Sequence, residues 1–372
     1  MNRLTIDIEA LRHNYNAISN WVRGHGAGLT VVTKALCGHT ETISALRDIG
    51  VDSMADSRLE NLRVIRRAAP GAETWYLRPP HVSALAEVVQ IADVSLNTEL
   101  EIIKKLNEEA VKQNKVHKVI VMIELGDLRE GILPGALLNV YKQVFQLPNI
   151  RVLGIGANLG CMGGVIPSVD QYMQLVLYRE LLELKFERDL PMISAGSSAT
   201  IPMLLEGRLP EKINHFRVGE SLFLGTDVIQ GETAEGLRDD AVRLEAEIVE
   251  IKEKGMVPLG ETTDITPFQP LEVEESYDPG ERGYRAIVTV GQVDTDVGGL
   301  IPLGPDHQIA GASSDLTVVN VGDEKGGLSV GDTLAFRLSY SSFVRLMANP
   351  YTVKRVVGNN GPRRTASSAS QD

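Results

Sequence analysis

Between residues 29 and 218 the chain repeats one unit: a short apolar run and then an amphipathic helical stretch. The runs begin near residues 29, 51, 73, 92, 118, 151, 191 and 214, which makes eight. Helical spacing follows them over Thr40–Ile49, Ser57–Ala69, Val82–Gln90, Thr98–Gln113, Gly135–Gln146, Val169–Phe186 and Ala199–Glu206. Ser57 is the expected N-cap of its helix, with Glu60 three residues on. Strands joined through helices lie parallel, and eight such units predict an α/β fold, a (β/α)8 TIM barrel. An open doubly wound sheet is the competitor. That arrangement more often carries a glycine fingerprint after its first strand, and no G-x-G-x-x-G follows Leu29–Val32.

The rhythm changes near Thr226. Alternating runs over Ala241–Ile251, Arg285–Val290, Gln308–Ala310, Leu316–Val321 and Thr333–Leu338 are punctuated by Pro279-Gly280, Gly298-Gly299, Gly304-Pro305 and Gly326-Gly327. This predicts a C-terminal β-rich domain. The expected division is a barrel over residues 1–225, a β-rich domain over 226–357 and a disordered tail over 358–372. Leu4–Ile8 also reads as a strand, ahead of a helix over Glu9–Val22, and residues 1–8 are assignable to the second domain as well. With 372 residues, 43% of them hydrophobic, the chain can bury a full core. A net charge of -12 argues against nucleic acid or an anionic membrane as partner. Two cysteines, no signal-peptide core and no bilayer-length apolar run predict a cytoplasmic protein.

Barrel active sites lie where the strands end, with phosphate sites after strands seven and eight. Strand one ends in Lys34, five runs out into Arg129, six ends in Asn158, seven in Gly196-Ser197-Ser198, and eight in Arg217-Val-Gly219-Glu220-Ser221. Burial at a strand end disfavours an ammonium, and a neutral amine can form a Schiff base with an aldehyde. Small residues at both glycine–serine ends let backbone N–H groups converge on an anion. An amine for an aldehyde and a cradle for a phosphate together suit pyridoxal 5′-phosphate; no metal is called for.

The chain resembles the alanine racemase superfamily, on the side of its ornithine and amino acid racemases. The resemblance is carried by Val32–Gly38, Met54–Asn61, Val94–Asn97, Met122–Gly131, Gly154–Cys161, Arg217–Gly225 and Gly311–Asp315, and spans about residues 2 to 356. It implies that Lys34 is the Schiff-base lysine and one catalytic base. Arg217 then faces the pyridine nitrogen, and Ser198, Gly219, Glu220 and Tyr340 bind the phosphate. Asn158 lies beside the ring. Arg129 meets the cofactor phenolate and the substrate carboxylate, with Ser314 and Asp315 on the substrate side. A head-to-tail homodimer is implied, each site completed by the partner's second domain around Gln292–Asp294 and Ser313–Asp315.

Three positions depart from the family pattern. Gln292 stands where alanine racemases carry the tyrosine that acts as opposite-face base. Met122 replaces a lysine often carbamylated there, and Cys37 falls where a phosphate-binding tyrosine usually does. The expected opposite-face base is therefore Cys161, after strand six, ahead of Asp294, two residues past Gln292. The implied activity is racemisation of ornithine or a similar linear amino acid such as lysine. The alternatives are a broad-specificity alanine, serine or lysine racemase and a non-catalytic pyridoxal phosphate carrier. A fold-related decarboxylase is disfavoured by the lack of a glycine-rich phosphate loop late in the barrel.

Overall fold

In the computed structural model, residues 2–160, 162, 164–261, 268 and 277–358 are described. The strands in chain order are β1 (Arg3–Asp7), β2 (Gly28–Val32), β3 (Ser53–Asp56), β4 (Glu73–Tyr76), β5 (Val94–Asn97) and β6 (His117–Met122). Then follow β7 (Ile150–Gly156), β8 (Met192–Gly196), β9 (His215–Val218), β10 (Val242–Gly255), β11 (Arg282–Val288) and β12 (Leu300–Pro302). The last are β13 (Gln308–Ala312), β14 (Thr317–Gly322), β15 (Thr333–Leu338) and β16 (Val353–Val357).

Strands β2 to β9 close into a parallel barrel, sealed where Gly28–Val31 pairs with His215–Val218. This is the expected (β/α)8 barrel, and each expected strand lies within a few residues of its place. Helices cover it: Leu100–Lys112, for example, buries the apolar stripe Ile103, Leu106 and Ala110. The helix expected from Ser57 starts at Leu59 instead, with Arg58 at its N-cap. The Asp56 carboxylate at the end of β3 accepts from the Arg58 N–H and from Asn61 Nδ2, each at 3.0 Å, so the capping oxygen comes from the strand.

The second sheet runs β12-β15-β10-β11-β14-β13. Strand β1 joins this sheet, antiparallel to β10 and parallel to β16. Strands β12 and β16 and the helix Tyr340–Ala348 add to the expected elements. That helix is capped by Ser339, whose Oγ accepts from the Ser342 N–H at 3.3 Å. The expected tail lies outside the described residues from 359 onward.

The barrel interior holds a small apolar layer of Val32, Ala55, Trp75, Val94, Leu96, Ile120 and Met122. Beside it His215 stacks on Trp75 with ring centroids 4.5 Å apart. Both His215 ring nitrogens meet hydroxyls, Thr30 Oγ1 at 3.0 Å and Ser194 Oγ at 2.8 Å, and Thr30 Oγ1 meets Ser53 Oγ at 2.8 Å. Burial pulls the imidazole down to about 3, so it is neutral at physiological pH. His117, bonded to Ser95 Oγ at 2.8 Å, is likewise pulled down by burial to about 4.

These rings make the fold acid-labile. An unfolded histidine titrates near 6.5, so between that pH and about 4 the unfolded chain binds protons that folded His117 and His215 refuse. Stability falls as pH drops through this window, by up to about 1.4 kcal/mol per pH unit for each ring. In urea titrations His117→Asn should lose stability less steeply than wild type over that range. An equal slope would contradict a buried neutral His117.

Candidate active site

Lys34 begins a short 3-10 turn, Lys34–Leu36, directly after β2. Its neighbour Thr33 is held by Oγ1 bonds to Ala55 O at 3.2 Å and Asp56 Oδ2 at 3.1 Å. The buried Asp56 carboxyl is raised by desolvation, against the pull of the hydrogen bonds it accepts. The helix Tyr340–Ala348 packs on this turn: Lys34 Nζ lies 5.8 Å from the Tyr340 ring centroid, and Cys37 Sγ lies 3.8 Å from Val344 O. Burial pushes the Cys37 thiol up, so it is protonated near neutrality. Burial also raises the Glu220 carboxyl, which the charge of Lys34 pulls the other way.

Arg217 comes from the end of β9 and is 6% exposed. Nη1 donates to Ser194 O and Ser194 Oγ, each at 2.5 Å, and Nη2 to Ala157 O at 3.0 Å and Asn158 Oδ1 at 2.7 Å. All four acceptors are neutral. Burial pulls the guanidinium down to about 10, with Glu130 and Tyr172 opposing, so it stays charged at neutral pH. Beside it the ends of β8 and β9 are tied together where the Ser221 N–H donates to Ser198 Oγ at 3.3 Å. Gly219 lies against β2 so closely that a Cβ there would sit 2.9 Å from Val32 O. The structure thus brings Lys34, Asn158, Ser198, Arg217, Gly219, Glu220 and Tyr340 to one end of the barrel.

Arg129 stands in the loop after β6. Gly126, Leu128 and Arg129 donate their N–H groups to the Glu124 carboxylate, and Ile132 returns to the strand end through its N–H to Met122 O at 2.8 Å. Gly131 makes that return possible: its φ is 153°, and a Cβ would meet the Glu124 nitrogen at 2.3 Å. Met122 is buried in the barrel interior below. Arg129 pairs with its neighbour Glu130 through Nε and through Nη2, the latter at 2.7 Å. Asn158 Nδ2 donates to the same carboxylate at 2.5 Å. Sequence reasoning gave Glu130 no role, because adjacency alone does not bring two side chains together. The His215–Ser194 support under Arg217 was likewise unassigned.

In the second domain, Gln292–Asp294 and Ser313–Asp315 run side by side, with Gln292 N–H to Ser313 O and Val293 N–H to Ser314 O both at 3.0 Å. Asp294 spends both carboxylate oxygens locally, on the Gly291 N–H at 3.0 Å and Asn349 Nδ2 at 2.9 Å. Ser314 Oγ donates to Asp315 at 2.5 Å. Cys161 lies outside the described residues. No helix among the described residues is long and apolar enough to cross a membrane.

Residues 6–227 match the family model described as alanine racemase, N-terminal domain. The chain is 38% identical over 356 residues to an ornithine racemase of Acetoanaerobium sticklandii, covering 95% of this chain and 99% of that protein. It is 31% identical over 355 residues to a lysine racemase of Thermotoga maritima, covering 95% and 97%. Among solved structures, an alanine racemase from Bartonella henselae with covalently bound pyridoxal phosphate superposes with a TM-score of 0.73 over 96% of this chain and 99% of that one, at 16% identity.

Gly219→Ala tests whether this end of the barrel holds an anion. The added Cβ must displace the β9 end from Val32, so affinity for a phosphate-bearing ligand should fall about tenfold. Titration of the ligand-free protein checks this, and unchanged affinity would remove Gly219 from such a site.

Proposed function

The chain belongs to the alanine racemase N-terminal domain family, and on that premise we propose that it racemises ornithine or a similar linear amino acid with pyridoxal phosphate. The observation that supports this reading is that Lys34 follows β2 at the same barrel end where the neighbouring β9 carries a buried Arg217 with only neutral oxygens as direct partners, beside the joined ends of β8 and β9. The likeness to an ornithine racemase over nearly the full length of both chains supports the substrate, and that to a lysine racemase makes lysine the runner-up.

The residues fit the cofactor. Lys34 offers an amine to an aldehyde, the β8 and β9 ends offer Ser198 and backbone N–H groups of Gly219 and Glu220 to a phosphate, and Tyr340 stands beside Lys34. When bound, pyridoxal phosphate supplies an electron sink that makes the substrate α-proton acidic. Arg217 keeps its protons at neutral pH, so it would donate to a ring nitrogen without surrendering a proton to it. That restraint favours proton exchange over wider side chemistry. Asn158 fixes one edge of that guanidinium and would stand beside the ring.

Racemisation breaks the α-C–H bond on one face and forms it on the other, with no net oxidation. Lys34 takes or returns the proton on its own face. For the opposite face we favour Cys161 over Asp294, whose two oxygens are engaged by Gly291 and Asn349. Arg129 serves the substrate carboxylate; Ser314 and Asp315 bind the substrate elsewhere, the acidic Asp315 suiting a basic side chain. A head-to-tail homodimer supplies the partner's Gln292–Asp294 and Ser313–Asp315 loops and keeps water from the mouth.

Lys34→Ala should lose visible cofactor absorbance and at least about 10³-fold of racemase activity. A panel of L-amino acids including ornithine and lysine, assayed for D-product, tests the substrate. Clear preference for alanine or serine would refute ornithine, and retained activity in Lys34→Ala would refute the mechanism. Cys161→Ser should slow deuterium exchange from one enantiomer far more than from the other, and equal rates would rule it out as the base.

A further inference from the structure

We propose that Glu130 is a positioning residue whose carboxylate holds Arg129 and Asn158 together and thereby couples the substrate-side arginine to Arg217; the role as stated rests on the racemase reading. The carboxylate takes the Arg129 Nε and Nη2 edge as a fork and receives Asn158 Nδ2 at 2.5 Å. Asn158 in turn presents Oδ1 to Arg217 Nη2 at 2.7 Å. The chemistry at both ends fixes the amide orientation. Arg217 can only donate and an ionised carboxylate can only accept, so Oδ1 must face the guanidinium and Nδ2 the carboxylate. One continuous line therefore runs from Arg129 through Glu130 and Asn158 to Arg217.

The loop that carries Glu130 does not need this side chain for its shape. The Glu124 carboxylate gathers the N–H groups of Gly126, Leu128 and Arg129, and the Ile123–Ile132 bridge returns the chain to β6. Glu130 is thus free to act on other side chains, and its side chain is only 18% exposed. It also places the negative charge that supports the buried Arg217 without touching it, since the four direct Arg217 acceptors are neutral. A neutral amide at this position would turn a donor toward either Arg129 or Asn158. If Asn158 flipped in response, Nδ2 would oppose Arg217, and one of its four acceptors would be lost.

Glu130→Gln and Glu130→Asp, alone and with Arg129→Lys, test this in the purified enzyme. Glu130→Gln should lower kcat/KM at least about tenfold, mostly through KM, because a misplaced carboxylate-binding group costs that much or more. It should also weaken pyridoxal phosphate binding to the cofactor-free protein about threefold or more through the Asn158 arm. Glu130→Asp should recover part of both losses. In the Arg129→Lys background, Glu130→Gln should cost less than about threefold in kcat/KM, because the partner through which it acts is already altered. Wild-type kcat/KM and cofactor affinity in Glu130→Gln, or full multiplicative losses in the double variant, would overturn the proposal. If Glu130→Gln does not fold, Glu130→Asp with and without Arg129→Lys decides by the same coupling. If the wild-type protein racemises no amino acid, the functional reading fails, and cofactor affinity alone decides whether Glu130 supports Asn158 and Arg217.

Discussion

One buried charge sets the terms for the rest of the barrel. Taking a guanidinium out of water costs about several kcal/mol even after relaxation, and the cost must be met by oriented acceptors. Arg217 meets it with the carbonyls of Ser194 and Ala157, one hydroxyl and one amide. These acceptors belong to the ends of β7 and β8, so those ends are held at fixed distances from β9. The same demand explains the neutral ring two residues earlier on β9. A protonated His215 would place a second cation beside the first, and the charge of Arg217 adds to burial in holding the imidazole unprotonated.

The site is also a junction between two sheets. Lys34 belongs to the barrel, while Tyr340 belongs to a helix that follows the last-but-one strand of the other sheet. That helix is fixed in turn by the Asp294–Asn349 contact and by Thr295 Oγ1, which donates to Ser342 O at 3.1 Å. The second sheet thus sets part of the surroundings of the lysine amine.

Much of this was legible in the sequence because the barrel is built from local signals. Each strand-and-helix unit carries its own periodicity, so eight units can be counted and their carboxyl ends named, Lys34 and Arg217 among them. The helix Tyr340–Ala348 had a signal too, with Ser339 as cap and Phe343, Leu346 and Met347 at helical spacing, hidden among strand-like neighbours. Strand β16 had none, since its pairing with β1 joins residues some 350 apart. Glu130 was hidden for a different reason. Its contact with Arg129 depends on a loop turned by Gly131, and its contact with Asn158 on the neighbouring of β6 and β7, neither of which a residue pattern records.

The pairing of the first strand with β10 and the last strand has a consequence for synthesis. All eight barrel strands have left the ribosome once Val218 emerges, yet β1 must still wait for Val242 and then for Val353. A chain that closed its barrel in that interval would carry an unpartnered β1 at its amino end, a ready template for mispairing with another chain. The acidic Asp7 and basic Arg3 at its two ends are charges of the kind that discourage edge-to-edge pairing.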